Sequence, residues 1–195
     1  MKRVFDIVCS FLGLLALLPL FILISILIII DSKGGIFFRQ VRVGKNNKDF
    51  KILKFRTMRP NSDKSGLLTI GSKDNRVTKI GYFLRKYKLD ELPQLINVFV
   101  GDMSFVGPRP EVRKYVDMYD QKQLKVLSLR PGITDYASIE YSNENELLSK
   151  SDNPEQTYIN EIMPAKLSLN LKYIKEKGIK TDIRLIFKTI AKIFK

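Results

Sequence analysis

Two adjacent carboxylates, Asp90 and Glu91, are the residues of this 195-residue chain whose types and spacing best suit chemistry. They lie in the stretch YKLDELPQL, between a basic run and a Leu-Pro pair. Such a pair is most often a solvated helix start, because carboxylates are stabilised at the positive end of the helix dipole. The chain has no His, and its one Cys, Cys9, lies in an apolar N-terminal segment. The usual general base and a solvent-facing thiol are therefore disfavoured, and carboxylates working with a hard cation such as Mg2+ fit what remains.

The positive charge of the chain is concentrated around this pair. The formal net charge is +14, and residues 33 to 88 hold 16 Lys or Arg against 3 Asp. Such a basic block predicts an anionic partner. Nucleic acid, phosphate-bearing small molecules and anionic lipid headgroups all fit, and charge alone does not rank them.

The N-terminal segment is apolar enough to enter a membrane. Residues 7 to 30 carry no charge, which exceeds the ~20 residues of a membrane helix and is too long for a signal peptide's apolar region. Basic residues flank both ends, so the preference for cytoplasmic positive charge acts equally on each side. Pro19 near the middle removes a donor from the Leu15 carbonyl and kinks the helix. Both an ordinary span and a re-entrant helix that bends at Pro19 remain open.

The carboxylate pair is expected at the junction between two helices. Gly35 to Met58 has the pattern of a β-hairpin around a polar turn, and Asn61 to Asp74 is rich in turn formers and predicts an exposed loop. Apolar spacing predicts a helix over residues 76 to 88 and a second from about Pro93 to Gly101. Since Pro93 suits a first helical turn, Asp90 and Glu91 fall at or just before the start of the second helix.

A stiff loop follows in the stretch GDMSFVGPRPE. Pro108 and Pro110 would hold Arg109 in an extended loop, which can present a guanidinium to a phosphate at low entropic cost. A surface turn with an incidental Arg is the alternative that the local sequence favours.

The C-terminal part contains further local patterns. LRPGITDYASIEY predicts a loop leading into a short strand. Asn153 matches an N-cap for a helix through Met163, and another helix is expected from about Ala165 to Gly178. Residues 181 to 195 are expected to form an amphipathic helix with an apolar and a basic stripe. The apolar stripe consists of Ile183, Ile186, Phe187, Ile190 and Phe194, and the basic stripe of Arg184, Lys188, Lys192 and Lys195. Such a helix either lies in a membrane interface or docks on the core, and the apolar N-terminus favours the membrane.

The order of several motifs resembles the bacterial sugar transferases, which are small monotopic phosphoglycosyl transferases. The motifs are KFRTM (54–58), LRKYKLDELPQLINVFVGDMSFVGPRPE (84–111) and RPGIT (130–134), behind the Pro-containing apolar segment, and the similarity runs from residue 1 to about 140. The resemblance implies an α+β, mainly helical fold at the cytoplasmic face of a bacterial inner membrane. Residues 1–32 would form a re-entrant membrane helix, and residues 33–195 a cytosolic catalytic domain that ends in the amphipathic helix 181–195.

The resemblance also implies a reaction. A sugar 1-phosphate would pass from a UDP-sugar to undecaprenyl phosphate, with release of UMP, and no nucleic acid partner is expected. Asp90 would be the nucleophile, forming an aspartyl phosphosugar, and would bind the required Mg2+. Glu91 would assist by positioning or deprotonating the acceptor phosphate. The cations expected to bind substrate phosphates are Lys54, Arg56, Arg85 and Arg109.

Two residues depart from the family pattern. Leu18 stands where a Ser commonly precedes the kinking Pro, and Asp135 stands where a Gly commonly follows RPGIT. Two other classes of function remain as alternatives: a membrane-tethered protein that binds nucleic acid through residues 33 to 88, and a non-catalytic membrane scaffold.

Overall fold

A long apolar helix, α1 (Lys2–Asp31), opens the chain and continues on both sides of Pro19. The computed structural model describes residues 2–60 and 75–193, so the predicted loop Asn61–Asp74 lies outside the described residues. By length and composition α1 could cross a membrane. The rest of the described chain is mainly helical with two small sheets, which confirms the predicted α+β fold class.

The predicted hairpin follows α1. Its strands, β1 (Phe37–Val43) and β2 (Asp49–Phe55), pair antiparallel from Phe37 opposite Phe55 to Val43 opposite Asp49. The turn between them has Asn46 and Asn47 in the left-handed backbone region, which Asn tolerates better than most residues. The prediction of a hairpin over Gly35 to Met58 is confirmed.

Both predicted helices around the carboxylate pair are present. Helix α2 (Lys79–Lys86) begins after Thr78, whose side chain caps it. A single 3-10 turn (Leu89–Glu91) follows, and then α3 (Gln94–Val100), which ends at Gly101 with φ of 107°. The carboxylates therefore lie in the turn that joins the two helices, as predicted.

The remaining elements form a helical layer around a second small sheet. Strand β3 (Ser104–Val106) pairs parallel with β4 (Gly132–Thr134). Six further helices of the described chain are, in chain order, α4 (Arg113–Val116), α5 (Tyr136–Glu140), α6 (Glu144–Ser149), α7 (Pro154–Thr157), α8 (Met163–Glu176) and α9 (Ile179–Ile193), of which α9 contacts both strands of this pair.

Two predictions for this part need correction. The stretch LRPGITDYASIEY contains the short strand β4, but residues 136 to 140 are helical, because the Asp135 side chain accepts a hydrogen bond from Ser138 N and starts α5. The helix capped by Asn153 does not stop near Met163. It continues through a π-helical segment (Tyr158–Ile162) into α8, and such a widened turn accommodates Pro164, which has no N–H to donate.

Helix α1 contacts the rest of the protein at both of its ends. Near its start, the Arg3 guanidinium donates to the carbonyls of Val98 and Phe99 at the end of α3. Near its finish, the Asp31 carboxylate accepts a hydrogen bond from Ile80 N in α2. The same folded domain therefore holds the beginning and the end of the apolar helix.

The predicted amphipathic C-terminal helix is α9. Leu185, which lies outside the predicted apolar stripe, is fully buried and packs against Val106 and Tyr173. Ile183 and Phe187 of the stripe are exposed, Phe187 to 68%. Helix α9 is thus docked on the core by one face and presents a second, apolar face to the surroundings.

Candidate active site

The turn that carries the carboxylates is fixed against the hairpin by Asn97. Asn97 Oδ1 accepts a hydrogen bond from Leu53 N, and its Nδ2 donates to the Lys51 carbonyl, both at 2.9 Å. The Asn97 side chain thus satisfies one backbone N–H and one backbone carbonyl of β2. These two bonds hold β2, and with it Lys54, next to the turn before α3. Sequence reasoning missed Asn97, although a polar residue on the buried face of an apolar helix was the available signal.

Glu91 is held by two cations. Its Oε1 accepts from Lys54 Nζ at 2.8 Å and from Arg109 Nη2 at 2.6 Å, and its Oε2 accepts from Arg109 Nη1 at 3.4 Å. Burial alone would raise the pKa of the Glu91 carboxyl, but the charges and hydrogen bonds of Arg109 and Lys54 outweigh burial and hold that pKa well below its usual range. Glu91 is therefore an anion that positions two cations and is poorly suited to accept a proton.

Asp90, the adjacent carboxylate, has a different environment. It is 8% exposed, and among residues 2–60 and 75–193 no group donates a hydrogen bond to its carboxylate. Burial raises the pKa of Asp90, and the nearby Lys54 charge opposes that rise. Asp90 is thus an incompletely compensated carboxylate, able to contact a cation or an electrophile.

The two cations on Glu91 respond oppositely to their surroundings. Burial lowers the pKa of the Lys54 ammonium, and Glu91 opposes that fall. The Glu91 charge raises the pKa of Arg109 above its ordinary value. Lys54 therefore depends on Glu91 to remain charged, whereas Arg109 carries its charge in any case.

The loop of Arg109 is anchored through its backbone. Pro108 and Pro110 are buried on either side of it, and Arg109 N donates to Asp135 Oδ2 at 3.1 Å. Asp135 is fully buried, and its Oδ1 accepts from Ser138 N at 2.6 Å. The unusual residue after RPGIT is thus a structural cap that joins the Arg109 loop to α5.

Replacing Asp135 by Asn should weaken the fold. The amide can accept from Arg109 N or from Ser138 N but not from both, so one buried N–H loses its partner, at a cost of about 1–3 kcal/mol. Thermal unfolding checks this. The exposed Asp152→Asn should leave stability unchanged, and an Asp135→Asn protein with unaltered stability would contradict the anchoring role.

Arg56 and Arg85 are the other two predicted phosphate-binding cations. Arg56 is buried, and its guanidinium donates to the carbonyls of Ser32 and Lys33 at the end of α1. Gly34, with φ of 129°, leaves room for that guanidinium, since a Cβ there would lie 2.0 Å from Arg56 Nη1. Arg85 Nε donates to Thr57 Oγ1 at 2.9 Å. Phosphate binding by these two residues stays a prediction.

One cavity contains all six predicted site residues. Its volume is about 600 Å³, and Asp90, Glu91 and the four predicted cations line it. Further basic residues on its wall are Arg59, Arg76 and Lys88. The wall beside the carboxylate pair is therefore suited to an anionic ligand with more than one phosphate.

The described residues could bind Mg2+ only together with a substrate that supplies further ligands. Among the described residues no three His, Cys, Asp or Glu side chains cluster closely enough to hold an ion. Mg2+ commonly binds through one or two carboxylates together with substrate phosphates and water. Asp90, which lacks a hydrogen-bond donor in the described part of the chain, is the carboxylate able to contribute.

Comparison with known proteins identifies the family of the chain. The family model for bacterial sugar transferases matches residues 1–195, so the chain belongs to that family. The predicted family is thereby confirmed.

Three relatives illustrate the similarity. The UDP-N-acetylgalactosamine-undecaprenyl-phosphate N-acetylgalactosaminephosphotransferase of Aeromonas hydrophila is 36% identical over 98% of this chain and 43% of the relative. The UDP-glucose:undecaprenyl-phosphate glucose-1-phosphate transferase of Escherichia coli (strain K12) is 36% identical over 100% of this chain and 40% of the relative. The exopolysaccharide production protein PSS of Rhizobium leguminosarum bv. phaseoli is 36% identical over 98% of this chain and 94% of the relative. The chain thus spans less than half the length of the first two.

Proposed function

We propose that this protein transfers a sugar 1-phosphate from a UDP-sugar to undecaprenyl phosphate and so starts the assembly of a glycan. The observation that carries the proposal is the contrast between two adjacent carboxylates: Glu91 is bound by Lys54 and Arg109, whereas Asp90 is left available in a basic cavity. Relatives named as undecaprenyl-phosphate sugar phosphotransferases support the choice of reaction.

The first step forms a covalent intermediate. An Asp90 carboxylate oxygen attacks the β-phosphorus of the UDP-sugar, and a bond forms between that oxygen and phosphorus. The bond from the β-phosphorus to the bridging oxygen breaks, and UMP leaves with the electron pair. In the second step an oxygen of undecaprenyl phosphate attacks the same phosphorus, the bond to Asp90 breaks, and the free carboxylate is restored with a polyprenyl diphosphosugar as product.

The neighbouring residues make this attack by an anion on an anion feasible. Lys54, Arg85 and Lys88 place positive charge near Asp90, and Glu91 holds Lys54 and Arg109 in position before the substrate arrives. Mg2+, when bound through Asp90 and the diphosphate, would supply further charge neutralisation. Preorganised cations of this kind account for much of the catalysis in phosphoryl transfer.

We further propose that the protein lies at the cytoplasmic face of the inner membrane and does not span it. Arg3 at one end of α1 and Asp31 at the other both contact the folded domain, which supports placing both ends on one side. Between them, apolar side chains such as Leu15 and Leu18 are more than half exposed, and Phe187 of α9 is also exposed. These apolar surfaces need a non-aqueous environment such as the membrane interface.

Terminal tags test this topology. Tags placed at the two termini should both be protected from a protease added to intact spheroplasts, and both should be cleaved after permeabilisation. A periplasmic reporter protein serves as the positive control for protease access. Cleavage of only the N-terminal tag in intact spheroplasts would contradict the re-entrant arrangement.

Release of UMP tests the reaction itself. Protein purified in detergent, given Mg2+, undecaprenyl phosphate and a panel of UDP-sugars, should release UMP with at least one of them and form a lipid-linked product. Absence of UMP with every sugar, under conditions where a related transferase is active, would overturn the proposed function.

Nucleic-acid binding is not proposed, because three cations of the basic block are bound within the protein. Arg42 pairs with Glu111, Lys54 pairs with Glu91, and Arg56 binds the end of α1. These cations are consequently not arranged as a surface for a polyanion.

A further inference from the structure

The cavity extends beyond the carboxylate pair towards helices α6 and α8. We call this part the α6–α8 pocket, and its members are Glu111, Glu144, Asn145, Tyr158, Lys166 and Asn170. It is connected to the reacting carboxylates through the chain, since Arg109 contacts Glu91 and Glu111 follows two residues later. The proposed reaction at Asp90 assigns no role to this pocket.

Asn170 is the unexplained residue of the pocket. It is 5% exposed, and its Oδ1 has no hydrogen-bond partner within the described ranges. A buried amide oxygen without a donor is destabilising. Because Asn170 lines the cavity, a ligand that supplies a hydrogen-bonding group there would satisfy this side chain.

The charges of the α6–α8 pocket cancel in pairs. Lys166 Nζ lies 2.7 Å from Glu144 Oε2, and Arg42 Nη1 lies 3.1 Å from Glu111 Oε1. Glu111 also accepts a hydrogen bond from the Tyr158 hydroxyl. The carboxylate, amide and phenol groups remain able to hydrogen-bond a ligand, but no net charge is left to attract a phosphate. This differs from the wall that carries Arg59, Arg76 and Lys88.

An uncharged ligand rich in hydroxyl groups matches this pocket best. The pocket presents acceptor oxygens on Glu111, Glu144 and the unpaired Asn170 Oδ1, together with the amide N–H donors of Asn145 and Asn170. A sugar offers several hydroxyl donors to such acceptors, whereas a uracil ring offers a single N–H. The sugar therefore suits the pocket better than the nucleoside at the other end of the donor.

We propose that the α6–α8 pocket binds the sugar of the UDP-sugar and that Asn170 helps to determine which sugar is accepted. The proposal rests on the function proposed above. Two relatives of equal 36% identity are named for N-acetylgalactosamine and for glucose, so overall similarity does not specify the sugar. Individual side chains in contact with the sugar must therefore specify it, and Asn170 lies in the wall of the pocket.

Variants of Asn170 test the assignment in the full-length protein. Asn170→Leu removes both hydrogen-bonding groups at similar volume, and Asn170→Asp keeps the size and an acceptor. The kcat/KM for the preferred UDP-sugar should fall about tenfold in Asn170→Leu, the value of one hydrogen bond, and discrimination against other UDP-sugars should shrink. Inhibition by UMP, which has no sugar, should stay within about twofold of wild type. The exposed Asn160→Asp is the matched control for Asn170→Asp and should leave every value unchanged.

The results that would contradict the proposal can be told apart. If inhibition by UMP weakens by the same factor as kcat/KM, the pocket binds the nucleoside and the sugar assignment is wrong. If both Asn170 variants keep the wild-type preference among sugars, Asn170 does not contact the sugar. Should Asn170→Leu fail to fold, as judged by thermal unfolding, Asn170→Asp decides: the loss of the amide N–H donors and the added charge should change the preference among UDP-sugars, and an unchanged preference rejects the contact. Absence of UMP release by the wild-type protein would instead reject the proposed function, and the sugar assignment with it.

Discussion

Asp90→Asn is expected to abolish UMP release, with a loss of about 10^4-fold or more. The amide has nearly the same size as the carboxylate but cannot form the bond to phosphorus, so the covalent route is closed. Release of UMP from the preferred UDP-sugar measures this directly, with Asp152→Asn as the exposed control. An Asp90→Asn protein with wild-type activity would show that Asp90 is not the nucleophile.

The same substitution should stabilise the ligand-free protein. Burial raises the pKa of Asp90 above its ordinary value of 3.8. A group with a raised pKa contributes stability that is complete below the unfolded pKa and is lost as the pH rises through the folded pKa. At neutral pH the ionised Asp90 therefore destabilises the fold, and Asn removes that penalty. Thermal unfolding in EDTA should show a higher Tm for Asp90→Asn at pH 7 and a difference that shrinks as the pH falls towards 3.8.

A lower Tm for Asp90→Asn at neutral pH would contradict this account. It would mean that the ionised carboxylate stabilises the fold, and loss of activity could then reflect loss of structure. Inactivity combined with higher stability, in contrast, is the expected pattern for a carboxylate retained for chemistry.

Glu91→Gln is expected to have the second-largest effect, a loss of about 100-fold in kcat/KM. The amide no longer offers a negative charge to Lys54 and Arg109, so both lose their common partner. The free energy of unfolding should fall by about 3 kcal/mol, because removing one partner of a buried ion pair leaves the other charge uncompensated. This value is at the low end of the usual range, since Arg109 is partly exposed. Urea unfolding and steady-state kinetics measure the two effects.

The pH profile separates positioning by Glu91 from proton transfer. Burial already lowers the pKa of Lys54, and Glu91 opposes that fall. Without the Glu91 charge the pKa of Lys54 falls further, so the alkaline limb of kcat/KM should move to lower pH. A general base would instead govern the acidic limb. Loss of the acidic limb in Glu91→Gln, with the alkaline limb unmoved, would contradict the positioning role.

A double substitution provides the control for stability. Glu91→Gln leaves Lys54 without a counter-charge, whereas Glu91→Gln with Lys54→Met removes the cation as well. The double variant should be more stable than the single one, while its kcat/KM stays at or below that of the single variant. Equal stability of the two would show that the Lys54–Glu91 pair does not contribute to the fold.

Local patterns predicted the elements that carry the site. The hairpin, the helices on either side of the carboxylates and the position of Asp90 and Glu91 in the intervening turn all follow from short-range periodicity and turn chemistry. These features depend on neighbours within a few residues, so one sequence is enough to predict them.

Polar side chains that join distant segments could not be predicted in this way. Asp6, in the apolar helix, accepts hydrogen bonds from Ser104 and Phe105, and Asp135 reaches back to Arg109. Their partners are far away in the chain, and no local spacing indicates them. For the same reason Arg56, interpreted as a phosphate ligand, was not expected to bind the end of α1.

Helix α9 shows a different limit of sequence patterns. Its periodicity correctly gave an amphipathic helix, but it did not indicate which face docks. Leu185 makes the buried contact and Ile186 of the stripe packs beside it, while Ile183 and Phe187 of the same stripe are exposed. A helix with two apolar faces satisfies the same pattern whether it packs on the core, on a membrane or on both.

The central claim is that Asp90 becomes covalently bonded to the sugar phosphate. The most direct measurement is mass spectrometry of the intact protein and of its peptides after incubation with the preferred UDP-sugar and Mg2+ and without undecaprenyl phosphate. We expect a mass increase equal to one sugar phosphate, located on the peptide that contains Asp90, with UMP released in equal amount and the adduct lost on addition of the acceptor. Transfer to undecaprenyl phosphate without any such adduct, or an adduct on another residue, would contradict the account.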